Sequence, residues 1–165
     1  MNRELRRKLF FRKGSEYLFI WTIGGCIYYL LEIAFRGFSH WSMFILGGLS
    51  LCFCTFQGQA MKWTEPMWLQ IIRAVIFVTS LEFITGIIVN KWLRLEVWDY
   101  SDQPFQLWGQ ICVPFMILFS GLIAIGIILG GTLTHYLYRE DDLGSFFCPC
   151  SIQITKSFQS ALFIG

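Results

Sequence analysis

Leu107 to Leu133 reads LWGQICVPFMILFSGLIAIGIILGGTL and carries no Asp, Glu, Lys or Arg. At about 1.5 Å of rise per residue, a helix of this length more than crosses a hydrocarbon core about 30 Å thick. Three other stretches meet the same length: Tyr17 to Phe35, Trp41 to Met61 and Met67 to Val89. Helix is the expected state of all four. A backbone in lipid must satisfy its own hydrogen bonds, and a β-barrel would show shorter, alternating segments. The fourth run is expected to continue through His135, Tyr136 and Tyr138.

Composition agrees. The chain is 55% hydrophobic and 15% charged, with a mean hydropathy of +0.56. Soluble domains carry about 25% charged residues, and a small globule cannot hide such an apolar surplus. Disorder, a nucleic-acid-binding domain and an ordinary soluble enzyme are excluded. The expected fold is all-α: a polytopic membrane protein whose four transmembrane helices form one bundle over residues 17–138. A basic cytoplasmic N-terminus, 1–16, precedes it, and a cytoplasmic or interfacial tail, 139–165, follows. The lipid bilayer is then the first partner, and a multi-pass place in the cell membrane the expected localisation.

The connections fit this division. Arg36-Gly37-Phe38-Ser39-His40 separates the first two spans, and Lys62-Trp63-Thr64-Glu65-Pro66 the next two. Thr64 suits a helix N-cap and Pro66 a first turn. The third connection, Asn90 to Gln106, is longer and polar, and Pro104 closes it before the fourth span. The basic start is not expected to be a signal peptide, because the apolar run behind it exceeds an h-region of about 7–15 residues.

Charge sets the expected orientation. With the N-terminus inside, nine bases face the cytoplasm: Arg3, Arg6, Arg7, Lys8, Arg12, Lys13, Lys62, Arg139 and Lys156. Three face outward: Arg36, Lys91 and Arg94. The positive-inside rule therefore predicts N-in and C-in. Trp41, Trp63, Trp68, Trp92, Trp98 and Trp108 fall near span ends, where interfacial rings collect.

Cys26, Cys52 and Cys54 lie within spans and are read as small apolar residues. Cys112 has no evident partner. Cys148-Pro-Cys150 lacks the His or second Cys pair that a zinc site needs. No metal ligand, cofactor or catalytic residue is expected. Ser39 with His40 and Thr134 with His135 are adjacent pairs, which point in different directions on a helix and have no orienting acid; the chain is not expected to be an enzyme.

Ionisable groups within spans are expensive, about 2.5–3.5 kcal/mol for Arg, Lys or Asp near the centre. Glu32, Arg73 and Glu82 are the three. Glu82 lies roughly 10 Å below the outer edge, at about 1.5 Å per residue. Both glutamates belong to the outer half in the predicted orientation, with Asp99, Tyr100 and Ser101 on the same side and Gln110 entering from the start of the fourth span. Glu82, Gly86 and Asn90 share one helix face, and Gly86 leaves room for another helix. Trp21, Gly25, Tyr28 and Glu32 share a face of the first span. Arg73 is half a turn out of phase with Glu82 and is expected to snorkel to the cytoplasmic surface. Two readings stay open. Glu32 pairs with Arg36 at i+4 and Glu82 is a packing device, or the acids form a substrate, proton or ion site. The candidate substrate-binding residues are Glu32, Glu82, Asn90, Asp99, Tyr100 and Gln110.

Trp98-Asp99-Tyr100-Ser101-Asp102 also has two readings. It is a lid over the polar cluster, with the rings stacking on a ligand that Asp99 orients. Alternatively its rings sit in the headgroup layer, Ser101 or Asp102 caps the fourth helix and Pro104 opens it.

Ser80 to Pro114 reads SLEFITGIIVNKWLRLEVWDYSDQPFQLWGQICVP. The sequence Leu81-Glu82-Phe83-Ile84-Thr85-Gly86, then Trp98-Asp99-Tyr100-Ser101, then Gly109, Ile111 and Cys112, resembles a bacterial integral membrane family of type IV ABC-transporter permease-like proteins. The resemblance covers roughly residues 15–138. Gln106 stands where that pattern has Asn, and the tail after Asp142 departs from it. The resemblance implies a permease subunit. The sequence contains no GxxxxGK(S/T) phosphate loop, so such a permease would work with a separate ATPase subunit, and as an oligomer because four spans rarely enclose a pathway. The alternatives are a small proton-coupled exporter using its membrane carboxylates, and a non-transport membrane scaffold.

Overall fold

A computed structural model describes residues 3–60 and 65–138. Thr64, the Cys148 to Cys150 segment, the bases Lys62, Arg139 and Lys156, and the predicted tail lie outside the described residues. Four long helices account for nearly all of the fold: α1 (Arg3–Arg36), α2 (Trp41–Ala60), α3 (Met67–Gly86) and α4 (Val113–Tyr138). Each contains a run long and apolar enough to cross a membrane. The chain is an all-α, four-span bundle. On its outside Leu30, Ile76, Ile117 and Ile125 are more than half exposed, as a solvent of acyl chains requires.

α1 starts well before the predicted span. It is 34 residues long, about 51 Å at about 1.5 Å per residue, so the basic segment from Arg3 continues the span as one helix. α2 begins where the sequence places it. His40 caps it, its carbonyl accepting from Met43 N–H at 2.9 Å and its Nδ1 from Ser42 N–H at 3.3 Å. α3 starts after Pro66, whose carbonyl accepts from Leu69 N–H at 3.1 Å. It continues through a π-helical turn, Ile87–Trp92, where the Leu93 N–H reaches back to the Ile88 carbonyl at 2.8 Å.

The fourth helix departs from expectation. It opens at Val113, with Pro114 in its first turn. The preceding residues form a short antiparallel hairpin of β1 (Gln106–Leu107) and β2 (Ile111–Cys112), with Gln106 opposite Cys112 and Leu107 opposite Ile111. Ser101, Asp102 and Pro104 thus belong to the loop before the hairpin and neither cap nor open α4. Trp98 is not interfacial but buried; Trp41, Trp68, Trp92 and Trp108 are exposed. Cys26 is exposed, Cys52 is half-buried, and Cys54 and Cys112 are buried.

α1 lies closely along α2. Around Gly24 and Gly47 the two backbones nearly touch: a Cβ on Gly24 would stand 2.7 Å from the Gly47 carbonyl, and one on Gly47 would stand 2.8 Å from the Gly24 carbonyl. Small residues give membrane helices this approach, because lipid offers little hydrophobic drive for association. Trp21 meets Phe44 edge-on, ring centroids 5.0 Å apart. α2, α3 and α4 enclose the main core of Cys54, Ala74, Val78, Phe119, Ile123 and Ile127. α1 and α4 meet only sparsely, which leaves a seam between them.

At the basic end of the bundle Glu16 is almost fully buried. It is held by Lys13 at 3.1 Å and by the Gln59 amide at 2.6 Å. Arg73 pairs with Glu65, near the start of α3.

Candidate functional site

The opposite end, where the hairpin lies, collects the other polar groups. Three elements position them. α1 carries Tyr28, Glu32 and Arg36, α3 and its π turn carry Glu82 and Asn90, and the loop with its hairpin carries Val97 to Ser101 and Gln110. Glu82, Gly86 and Asn90 are all buried on one face, as the sequence spacing predicts. The group that approaches Gly86 is not a helix but the Gln110 side chain; a Cβ there would lie 2.5 Å from the Gln110 Oε1.

Asn90 and Gln110 are consumed by holding the loop. The Asn90 Nδ2 donates to the Gln110 Oε1 at 2.8 Å, and the Asn90 Oδ1 accepts from the Val97 N–H at 2.8 Å. The Gln110 carbonyl accepts from the Trp98 Nε1–H at 3.0 Å, and the Gln110 Nε2 donates to the Trp108 carbonyl at 3.1 Å. Gln110 sits between β1 and β2 and not on α4. Met43, Val89, Val97 and Trp98 form the small apolar core beneath this network. The network opposes backbone strain, because Arg94, Glu96, Phe105 and Trp108 all have φ near +50°, a region that bulky residues rarely occupy. Replacing Asn90 by alanine leaves two buried groups without partners, at about 1–3 kcal/mol each. The expected result is a loss of about 2 kcal/mol or more in thermal unfolding of the purified protein.

Asp99 turns away from the cluster. It is exposed, and its Oδ1 accepts from the Ser101 hydroxyl at 2.6 Å and the Ser101 N–H at 2.9 Å. Gly109 passes directly beneath with φ +69°, and a Cβ on it would stand 2.5 Å from the Asp99 Oδ1. The Gly109 carbonyl accepts from the Tyr100 N–H at 2.8 Å, while its N–H donates to the Gln106 Oε1 at 2.7 Å. The Ser101 hydrogen bonds hold the Asp99 carboxyl below its ordinary range. A depressed carboxyl contributes stability above its unfolded pKa and loses it as pH falls through the lower folded value. Protection of the Ser101 amide, its exchange rate taken relative to the intrinsic rate at each pH, is therefore expected to hold from neutral pH down through the ordinary aspartate range and to fall only below it. A protection that already falls between pH 7 and 5 would contradict this.

Tyr100 faces inward and stacks on Phe115, ring centroids 4.6 Å apart. Burial, reinforced by Glu82, pushes its hydroxyl well above the usual tyrosine range, so it stays a neutral donor at working pH. Glu32 is bound by Arg36 at 2.7 Å. Arg36 also donates to the Val97 carbonyl at 2.6 Å, tying α1 to the loop. The Val97 to Ser101 segment is thus tied to α1 by Arg36, to the π turn after α3 by Asn90 and to α4 by the Tyr100–Phe115 stack, a plug in the end of the bundle.

Glu82 is the exception. It is buried, with 6% of its surface exposed. Among the described residues its one hydrogen bond is a long one, 3.4 Å, from the Tyr28 hydroxyl. Glu16, Glu32 and Glu65 each have a basic partner, Lys13, Arg36 and Arg73. Glu82 has none among the described residues. Sequence reasoning places Tyr28 on the Glu32 face but does not single it out as a site residue. The signal was a tyrosine one turn from a membrane glutamate, since a buried phenol normally seeks a partner. The Arg36 to Val97 bond joins residues far apart in sequence and left no local signal.

Comparison with curated proteins and with solved structures finds no match. A family model described as "Putative ABC-transporter type IV" matches residues 16–148. That stretch takes in α1 from Glu16 onward, all of α2, α3 and α4, the buried glutamate and the plug that covers it, so the chain belongs to this family.

Proposed function

We propose that the chain is the membrane-spanning permease subunit of an ABC-type transporter, with Glu82 and Tyr28 as its polar contact for the cargo. The observation that carries this reading is the absence of a basic partner for Glu82 among the described residues, inside a span where an unpaired acid is costly. A carboxyl kept there without a counter-charge fits a group whose partner is transient. Family membership and the four spans support the permease role. Because the sequence has no phosphate loop of the GxxxxGK(S/T) type, a separate ATPase subunit supplies the energy, and several copies of the chain line the pathway. Asn90, Asp99, Gln110 and the Glu32–Arg36 pair build the plug over the site, and Tyr100 closes it from above. The bundle sits N-in and C-in in the cell membrane, so the plug faces outward. No catalytic step falls to this chain.

The same carboxyl also favours a second reading, a proton-coupled exporter in which Glu82 carries the proton. One experiment separates the two. Affinity-tagged protein is isolated from its own membranes and reconstituted in liposomes. An ATPase subunit that co-purifies, and is stimulated by the permease in lipid, supports the first reading. Cargo movement that collapses with the proton gradient and needs no ATPase replaces it with the second. An isolated protein with neither property is a scaffold and overturns both. The orientation is checked separately: a cysteine placed at Asp102 reacts with an impermeant maleimide on intact cells if the plug faces outward.

A further inference from the structure

The sparse seam between α1 and α4 is a groove of about 310 Å³, within the about 300–1,000 Å³ typical of small-molecule sites. Ile27 and Leu31 of α1 and Leu122 and Leu129 of α4 form its walls, and Cys54 of α2 its floor. It opens sideways, where Ile27 and Ile125 are exposed on the bundle's surface. Tyr28 lines the groove, and the same side chain hydrogen-bonds Glu82 with its hydroxyl. Val78, one helical turn before Glu82, lines it too. The groove is therefore apolar along its length, with the Tyr28 side chain standing between it and the buried Glu82 carboxyl, and it opens toward the lipid.

Resting on the permease reading above, we infer that the cargo is a single-chain cationic amphiphile that enters from the bilayer, lays its alkyl chain in the α1–α4 groove and brings a protonated amine to Glu82. Charge complementarity selects this cargo. Among the described residues Glu16 is matched by Lys13 and Glu32 by Arg36, while Glu82, without a basic partner, lies behind Tyr28, a wall residue of the groove. An amine supplies the basic partner that Glu82 lacks among the described residues, which an anionic or neutral head cannot do. Gly126 marks the groove independently: a Cβ there would meet Leu51 at 3.6 Å and Cys54 at 4.0 Å, which is ordinary contact. A larger side chain at this position fits at its root and extends into the groove.

The test uses the full-length protein in phosphatidylcholine nanodiscs and a photoreactive long-chain alkyl amine, with labelled peptides read by mass spectrometry. Labelling is expected on the Ile27–Leu31 and Leu122–Leu129 segments. Dodecylamine is expected to compete about tenfold better than dodecanol, the scale of one charge-assisted hydrogen bond. Glu82→Gln should erase that preference, and Gly126→Leu should abolish groove labelling. Gly121→Leu, whose Cβ meets nothing within 4 Å, should leave it intact. Equal competition by dodecanol on the unaltered protein would overturn the inference and show an unspecific lipid seam, whatever the variants do. Labelling elsewhere, or a preference that survives Glu82→Gln, would overturn it as well. Binding is measured without any ATPase. A protein that fails here but binds and stimulates an ATPase is a permease with another cargo; one that binds the amine but has no ATPase partner loses only the permease reading.

Discussion

Glu82→Gln is expected to abolish cargo movement by the reconstituted protein, reducing it by about 10- to 100-fold, the loss of one charge-assisted hydrogen bond in a desolvated site. The reason is local. Glutamine keeps the shape and still accepts the 3.4 Å hydrogen bond from Tyr28, so the groove and the plug stay in place. What disappears is the ionisable carboxyl, which has no basic partner among the described residues. Glu32→Gln is the instructive contrast. It removes the carboxylate that holds Arg36 at 2.7 Å, so the Arg36 bond to the Val97 carbonyl is less firmly placed, and the variant acts on stability before it acts on transport. Equal transport defects in the two variants would mean that the glutamates work as one cluster and that Glu82 has no separate role.

Gly47→Leu is expected to give the largest loss of stability, at least about 3 kcal/mol. A side chain at this position must pass the Gly24 carbonyl, 2.8 Å from where its Cβ would lie, and the Tyr28 ring carbon Cγ, 3.0 Å away. The first of these is backbone and cannot swing aside, so α1 and α2 must separate. Tyr28 moves with α1, and its hydroxyl leaves Glu82. The variant is therefore expected to lose both thermal stability in detergent and amine binding. Gly121→Leu adds the same side chain on open surface and is expected to change stability by no more than about 0.5 kcal/mol. If both substitutions had equally small effects, the close α1–α2 contact would be refuted.

The spans were legible because lipid tolerates few charges over some twenty residues, a constraint strong enough to read from one sequence. The bounds of α2 and the start of α3 agree with the charged and Pro-containing breaks. The start of α4 was not legible. Residues 107–112 carry no charge and run without a break into the helix that follows, and nothing in a hydropathy pattern shows that Trp108 and Gly109 take positive φ. Once those residues turn, Gln110 leaves the helix and becomes the hub of the plug. The same limit hid Trp98, which a position between spans suggests is interfacial, while its indole N–H in fact has a buried acceptor in Gln110. The face shared by Glu82, Gly86 and Asn90 was legible from helical spacing. That Asp99 would turn back on Ser101 was not, because the strand-like pairing of Tyr100 with Gly109 joins residues whose contact no local period encodes.

The central claim is that Glu82 is kept for its cargo and not for the fold, and the unfolding temperature of Glu82→Gln, measured beside the unaltered protein in the same lipid, tests it most directly. A buried carboxyl held by one long hydrogen bond and, among the described residues, by no base adds little to the fold, so the account predicts a variant at least as stable as the parent while it no longer moves cargo. A variant that unfolds at clearly lower temperature would make Glu82 a structural strut and contradict the account.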